Sequence, residues 1–552
     1  MSRAGLIAAV ALLAGGCADL LGIGAPGRDP ADVDGSTTDA ATDAAIDAGV
    51  CVAQTTMSCY DGPAGTMGVG QCTIGTRTCN GDGTAWGECV GQGAPAVERC
   101  GGLADATDEN CDGSPSCTGA YVRVDAPAAA SSEGIGRIGA DAAGNHYLLG
   151  DYYQAFTFGG FALPPGEQGE IFLAKRTAGG TLAWARGLAG LGWQVPLDLL
   201  VAPDGSTTVV GLYTTTENVP WMIGSRPLST ANVGAPWMFI ARFDPSGAPV
   251  WASTIEGVGP LDHMGEARAY LAAAPAGGVF VAVSFGDDAN AFFYGPDGGP
   301  GYTQLDVFPD RTITLLRLSA TGTLVDRFAF SSDGPLYAGG VGVDGSGNII
   351  VAGTNHGAEI DLGVTADCPG GGDGFFLKLG PPPDYEPRFC NGLPGRPERI
   401  LVDALGFTYA TGSQLVGATL VPFVAKMTSA GGAAWSVIAT GSGGGTLSDV
   451  AVDAAEHVVV AGTCSGGALD FNPGAAGGDV VAGTGDTTCT AKYTAAGAWL
   501  WSKTIASSSA RAVTTLPFGN VLVAGRYGGV VDFGGGPVTS SGADMFLLEL
   551  RP

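Results

Sequence analysis

Histidine is almost missing from this chain, with 4 in 552 residues. Few general bases and few zinc ligands can therefore exist. Cationic side chains are scarce too: 25 Lys and Arg face 53 Asp and Glu, for a net charge of −28. Nucleic acid and anionic bilayer surfaces would repel such a chain, and neither is expected as a partner. After the first residues, no charge-free apolar run reaches the roughly 18–20 residues that a membrane-spanning helix needs. No stretch carries a helical hydrophobic period. Neither G-x-S-x-G nor H-E-x-x-H occurs. Gly340-Val-Gly342-Val-Asp-Gly345 fits G-x-G-x-x-G. It runs from a strand into a turn, however, with no helix to present amides to phosphate. Asp244-Pro-Ser246-Gly247 before Trp251 has the glycine and tryptophan of a sialidase Asp-box with Ser and Asp in the wrong order. No catalytic residue is assigned, and a non-enzymatic protein is expected.

Glycine, in contrast, is abundant: 94 residues, roughly 17% against a usual value of about 7%. There is no Gly-X-Y period, so collagen is excluded. With 45% hydrophobic residues the chain can bury a sizeable core. Its length allows several folded units. A turn-rich, all-β, extracytoplasmic protein is the expectation.

The first 17 residues hold one cation, Arg3, then the apolar run Leu6–Ala14, then Leu13-Ala-Gly-Gly-Cys17. The run is too short to span a bilayer. Its end resembles the lipobox of bacterial lipoproteins. The resemblance implies that Cys17 is lipidated and becomes the mature N-terminus, with the lipid bilayer as a partner. Ala18, where inner-membrane lipoproteins carry Asp, implies an outer-membrane destination. Residues 18–50 space Asp29, Asp32, Asp34, Asp39, Asp43 and Asp47 among Ala, Thr, Gly and Pro, without aromatics. Such a segment cannot bury enough surface to offset its ordering entropy, and like charges extend it. It is expected to be a disordered acidic tether.

Thirteen cysteines less Cys17 leave twelve, an even number. Eight fall between 51 and 117, and the others are Cys368 with Cys390 and Cys464 with Cys489. In an exported chain this reads as disulfide bonding. Each late pair closes a loop worth about 3 kcal/mol on the chain-entropy model. The pairing of the first eight stays open. Asp108-Glu-Asn110-Cys-Asp112-Gly113 fits D-x-N-x-D-G, whose alternating oxygens and sharp turn suit Ca²⁺. Gly119 replaces the bidentate Glu of an EF-hand. Asp108, Asn110 and Asp112 are thus either a weak Ca²⁺ site or an acidic turn between disulfides. The cysteine order from Cys59 through Trp86-Gly-Glu-Cys89 to Cys111-Asp-Gly113 resembles the metal-binding-motif module of myxobacterial surface proteins. The module is expected over 51–118.

From about residue 136 the chain repeats. A glycine that ends a strand returns as Gly150, Gly211, Gly353, Gly412, Gly462 and Gly525, with Val283 in the third copy. That makes seven copies spaced roughly 62 residues apart. Each copy parses into four strands. Turns such as Asp141-Ala-Ala-Gly-Asn145 join the first two. The fourth strand carries Trp184, Trp251, Trp435 or Trp501 at one register; copy three has Asp326 there, and copy four is read as having lost the pattern to Pro381-Pro-Pro383. A cation recurs on the third strand, Lys175, Arg242, Arg317, Lys378, Lys426 and Lys492, before Glu549 in copy seven. It is expected to be solvated or ion-paired between blades.

Four strands in each of seven copies predict a seven-bladed β-propeller over 119–552. The repeat resembles the SBBP-type propeller repeat of bacterial surface proteins. The last copy lacks a fourth strand, and Tyr121–Val124 is expected to supply it. His146 and His457 share one repeat position, and His263 lies in a loop; all three are expected to be idle. Long loops in copies two and three (213–236 and 285–311) carry Trp221, Phe292, Phe293 and Tyr294, and Trp193 emerges on the same face. These aromatics are either a contact face or caps on the sheets. The functional expectation is a monomeric outer-membrane lipoprotein. Its propeller would bind or scaffold an unidentified extracytoplasmic protein or glycan. The alternatives are a glycan hydrolase or lyase, or a calcium-binding surface protein.

Overall fold

The computed structural model describes residues 51–552 except 64, 97, 99, 101–106, 112, 114–116, 128–131, 166–168, 189, 191, 216–219, 225, 229–235, 258–267, 286–290, 297–301, 306–311, 364–367, 370–373 and 517–518. The signal, Cys17 and the tether therefore lie outside the described residues, as do Asp112 and His263. Among the described residues there is no α-helix; the chain is built from antiparallel strands.

Residues 51–57 and 77–88 form a small unit of their own, tied by Cys51–Cys79. The second unit holds everything else. Its first part is crosslinked by Cys59–Cys89, Cys72–Cys111 and Cys100–Cys117. Cys368–Cys390 and Cys464–Cys489 follow later, as the sequence led us to expect.

Downstream, the strands form sheets in chain order. The first sheet runs Glu133–Ala140, His146–Tyr152, Glu170–Arg176 and Leu182–Gly187. The same meander starts again at Gln194, Arg268, Leu336, Arg396, Gly444 and Ser508. The first strands neighbour one another in this order, and Ser508–Thr515 returns to neighbour Glu133–Ala140. In the last sheet the fourth strand is Tyr121–Asp125, which pairs antiparallel with Pro537–Leu550 and sets Tyr121 opposite Leu550. Chain that precedes the first sheet thus covers an edge that would otherwise be open to pairing.

No single core exists. Apolar side chains gather between each sheet and the next. One cluster joins Tyr147 and Leu149 to Val209 and Phe239, and another joins Val210 and Ile240 to Val281 and Leu316. The last, which holds Leu148 and Phe172 with Leu522 and Leu547, joins the seventh sheet to the first.

In three sheets the recurring third-strand cation is paired with an aspartate of its own sheet and not across sheets, whereas Lys426 lies 3.5 Å from Glu456 of the next sheet. Lys378 Nζ lies 2.9 Å from Asp344, Lys492 Nζ 3.1 Å from Asp453 and Lys175 Nζ 3.6 Å from Asp141. These aspartates close the first turn: Asp344 Oδ1 accepts from Asn348 N and Oδ2 from Asn348 Nδ2, at 2.9 and 2.8 Å. Burial would raise the Asp344 carboxyl, but the bonds from Asn348 and Lys378 outweigh it and hold it below its ordinary value.

Opposite each cation on the fourth strand stands the aromatic. Trp251 faces Arg242 and Trp435 faces Lys426. The ring crosses to the next sheet. Nε1 of Trp251, Trp435 and Trp501 donates to the carbonyls of Ala320, Ala495 and Pro552 at 2.8, 3.1 and 3.1 Å. The ring lies on a turn glycine with positive φ. A Cβ on Gly322 would come within 2.5 Å of Trp251, so only glycine fits there.

Two copies depart from this pattern. In the fourth sheet Phe389 takes the tryptophan register opposite Lys378, despite the prolines before it, and lies against Gly431. In the third sheet Asp326 pairs with Arg317 at 2.7 Å. Tyr385, from the turn after those prolines, donates its hydroxyl to Asp326 and stacks on Phe328. The ring is thus supplied from the other side of the same interface.

Two measurements test this. Trp251→Ala, which removes a buried ring and its hydrogen bond, is expected to cost about 3–5 kcal/mol in chemical denaturation. Trp184→Ala should cost less, because that side chain is only partly buried and its bond is 3.3 Å; equal losses would contradict the role of the buried, hydrogen-bonded ring in joining the sheets. The second concerns His146, which is buried beside Arg176 near the closing strand, with neither ring nitrogen hydrogen-bonded. Burial, then the charge of Arg176, lowers its pKa to about 4, against the pull of Glu549 and Asp141. Between pH 6.5 and 4 the unfolded chain takes up a proton that the folded chain refuses. Stability should therefore fall by up to about 3 kcal/mol as the pH drops through that window. His146→Leu should flatten this part of the stability–pH curve relative to the parent.

Candidate functional site

The first strands that neighbour one another share a local irregularity. Ladder register slips between Ile135 and Arg137, Pro196 and Asp198, Ala338 and Gly340, Pro397 and Arg399, Leu447 and Asp449, and Ala510 and Ala512. A bulge of this kind adds one residue and re-aims its neighbours. The residues after the bulges carry a charge pattern: Arg137, Asp198, Arg399 and Asp449 in the first, second, fifth and sixth sheets.

These four side chains meet. Asp198, fully buried, lies 2.7 Å from Arg399 Nη1 and 3.4 Å from Arg137 Nε. Arg399 Nε lies 3.6 Å from Asp449. Each aspartate also accepts a backbone N–H from the next sheet: Leu271 N to Asp198 Oδ2 and Val513 N to Asp449 Oδ2, both at 2.9 Å. Burial pushes the Asp449 carboxyl above its ordinary value, against the pull of Arg399 and Arg137. For Arg399 burial works the other way, but Asp198 and Asp449 outweigh it and raise its pKa. The first strands are thus crosslinked by ion pairs between residues as far apart as Asp198 and Arg399.

Next to this network lies a cavity of about 490 Å³, lined among others by Arg137, Asp151, Tyr153, Glu398, Arg511 and Arg526. Arg526 is ion-paired with Asp151, and Arg268 lies 3.3 Å from Glu398. Among the described residues Arg511 forms no ion pair. Burial, then Arg526 and Arg137, lowers its pKa, with Asp151 opposing. Burial raises the Asp151 carboxyl against Arg526 and Arg511. Gly169, at the lip, sits between two rings: a Cβ there would lie 3.3 Å from Tyr153 and 3.4 Å from Trp193.

The aromatics expected on the long loops are placed differently from one another. The 285–311 loop forms a hairpin, Ala291–Tyr294 with Tyr302–Leu305, added to the outer edge of the second sheet. Alternation along that strand buries Phe293 in the core between the second and third sheets. Its neighbours Phe292 and Tyr294 lie on the other side and keep partial exposure, in contact with Tyr302. Tyr294 also donates to Glu256 at 2.7 Å. Trp221 is buried against Tyr213 and Phe239. Trp221 and Phe293 therefore anchor their loops from beneath and present no contact surface. Trp193 is partly buried against the core between the second and third sheets and lies next to Gly169 of the cavity lining.

The acidic turn of the N-terminal module is folded inward. Asp108 and Asn110 are buried, Asp108 Oδ2 accepts Gly113 N at 2.9 Å, and Asn110 N donates to Glu98 at 3.1 Å. Asp112, the third expected Ca²⁺ ligand, lies outside the described residues. Among the described residues no three His, Cys, Asp or Glu gather as a metal site.

No protein-family model matches the chain, and no curated protein matches it. Solved structures do. The chain is similar to a protein of unknown function from Dyadobacter fermentans, at 10% identity and a TM-score of 0.35, over 78% of this chain and 98% of that one. It is similar to the Dos1 propeller at 8% and 0.38, over 78% and 95%. It is also similar to the polysaccharide lyase Uly1 at 9% and 0.31, over 78% and 92%.

The network yields a test. Asp198→Ala strands two arginines and the Leu271 amide, and is expected to cost about 3–5 kcal/mol in chemical denaturation. Asp198→Asn, which can still accept from Leu271 N, should lose less. A loss under about 1 kcal/mol for Asp198→Ala would show that solvent, and not Asp198, satisfies those arginines.

Proposed function

We propose that the chain is an exported, lipid-anchored β-propeller of seven four-stranded blades. Its task is to bind a ligand at one end of the channel between the blades, without turning it over. The cyclic order of the first strands and the pairing of Tyr121–Asp125 with Pro537–Leu550 support the blade count and the closure. The resemblance of Leu13–Cys17 to a lipobox supports anchoring to the outer membrane through Cys17. Six disulfides support an extracytoplasmic location. No helix among the described residues is long and apolar enough to cross a membrane.

The observation that carries binding over catalysis is the state of the channel's ionisable groups. Asp198, Asp449, Asp151 and Glu398 are each ion-paired with arginine. A carboxylate held this way is a poor proton shuttle, since protonation must break its pair. The cation without an ion pair, Arg511, can hold an anion but cannot act as a base at neutral pH.

A second reading, a glycan-active enzyme, has one observation in its favour. Two carboxylates, Asp151 and Glu398, line the same cavity, and burial raises the Asp151 carboxyl. A third role, weak Ca²⁺ binding at Asp108, Asn110 and Asp112, is tested by calorimetry with and without chelator.

Expression of the full chain in a Gram-negative host with labelled fatty acid tests the anchor. Label and membrane association are expected for the parent and neither for Cys17→Ala; equal partitioning of the two would remove the anchor. Product analysis on neutral and acidic polysaccharides separates binding from turnover. No new reducing or unsaturated ends are expected, and products lost in Asp151→Asn would establish the enzyme instead.

A further inference from the structure

We infer that the channel-mouth cavity is a site for an acidic sugar, a uronate residue of a glycan, held by its carboxylate on Arg511. This rests on the binding reading above and gives it a ligand class. Three independent features of the cavity converge.

The first is the guanidinium of Arg511. It lies in the wall with Arg137 and Arg526 near it, and among the described residues it has no ion pair. Arg511 is exposed, so its guanidinium is open to an incoming anion, and Arg526 and Arg137 add positive charge beside it while Asp151 offsets part of it. Guanidinium groups match carboxylates in plane and spacing. The lining also carries Asp151 and Glu398. With those carboxylates present, one unpaired cation suits a singly charged group. A phosphate monoester, at about −1.5 to −2, would meet their repulsion.

The second is Gln194. Its side chain lines the cavity and is 1% exposed. Nε2 donates to Gly192 O at 3.1 Å, which fixes the amide, while Oε1 has no hydrogen-bond partner. A buried acceptor in that state costs about 1–3 kcal/mol until a donor reaches it. A sugar hydroxyl is such a donor. Ser448, also in the lining, adds a hydroxyl that can donate or accept.

The third is aromatic. Tyr153, 42% exposed, lines the cavity, and Trp193 stands on the other side of Gly169. Gly169 adopts φ +144, and a side chain there would push into both rings. The apolar C–H face of a pyranose packs on such a ring while its edge hydroxyls stay polar. At about 490 Å³ the cavity falls within the range of small-ligand sites, roughly 300–1,000 Å³.

Calorimetry on the folded full chain tests the assignment. The probes are trisaccharides of glucuronate, galacturonate and mannuronate, their methyl esters, the neutral glucose trisaccharide and inorganic phosphate. At least one uronate is expected to bind, and its ester roughly ten-fold or more weakly. Binding should weaken as salt is raised. Arg511→Gln should abolish the preference for acid over ester while leaving the melting temperature unchanged or higher, since it removes like-charge repulsion. Tyr153→Ala should weaken acid and ester together. The assignment is overturned if no uronate binds, if ester and acid bind alike, if phosphate binds as tightly, or if Arg511→Gln binds like the parent. A uronate that is cleaved instead of held leaves the site assignment standing and removes the non-enzymatic reading. A uronate neither held nor cleaved removes the site assignment alone.

Discussion

Most sheets of this protein are held to their neighbours by an aromatic ring laid on a glycine. With no central core, each sheet has apolar faces that only adjacent sheets can cover. Stability then depends on fixing the angle and register between sheets, as in other repeat architectures. The tryptophan does this with one large buried surface and one directional bond to a turn carbonyl. The turn must present a bare Cα at that point, which accounts for part of the glycine excess. Where the tryptophan is missing the requirement persists. Phe389 meets it from the same strand, Tyr385 meets it from the opposite side, and Arg123 lies over Gly180 at the seam between the seventh and first sheets. At that seam the usual charge order is reversed, with Glu549 on the third strand and Arg123 on the fourth, 2.7 Å apart.

Much of this was legible in the sequence because the repeat writes it several times. The second strands at His146 and Ile349, the third strands at Ile171 and Phe375 and the tryptophan register all fall where the pattern put them. The pairing of Tyr121–Asp125 with the last strand followed from an orphan strand and a missing one. The third-strand cation was visible as a column; its partners, Asp141, Asp344 and Asp453, were visible only as turn residues. What joins them is the antiparallel register, which brings the first turn beside the third strand. Phe389 was missed because the three prolines before it suggested a broken strand, whereas they only lengthen the turn.

The aromatic loops were harder to read, for a physical reason. Exposure on a loop depends on whether the loop folds back, and composition does not say. Phe292, Phe293 and Tyr294 are consecutive, so once the segment pairs as a strand, alternation must send the middle ring to one side. Phe293 is buried and its neighbours are not. Trp221 sits on a short hairpin closed over Tyr213, which makes it core.

The ion-pair network was legible in principle and needed a different alignment of the copies. Four residues ahead of the turn aspartates Asp141, Asp403 and Asp453 stand Arg137, Arg399 and Asp449, and the corresponding place in the second copy holds Asp198. Read across copies this column alternates in sign, with Tyr270, Gly340 and Ala512 in the other three sheets. A single repeat shows only an isolated charge on an apolar strand, which reads as an anomaly. The order in which the first strands neighbour one another makes sense of it, since opposite charges from distant copies can then meet. Beside these ion pairs the cavity takes its lining from the first, second, fifth and sixth sheets and from Arg511 and Arg526 of the seventh. The seventh sheet is also the one completed by chain from upstream, with its own register shift at Ala510 and Ala512. The cavity and the seam thus share a sheet: Arg511 and Arg526 line the one, and the pairing of Tyr121–Asp125 with Pro537–Leu550 makes the other.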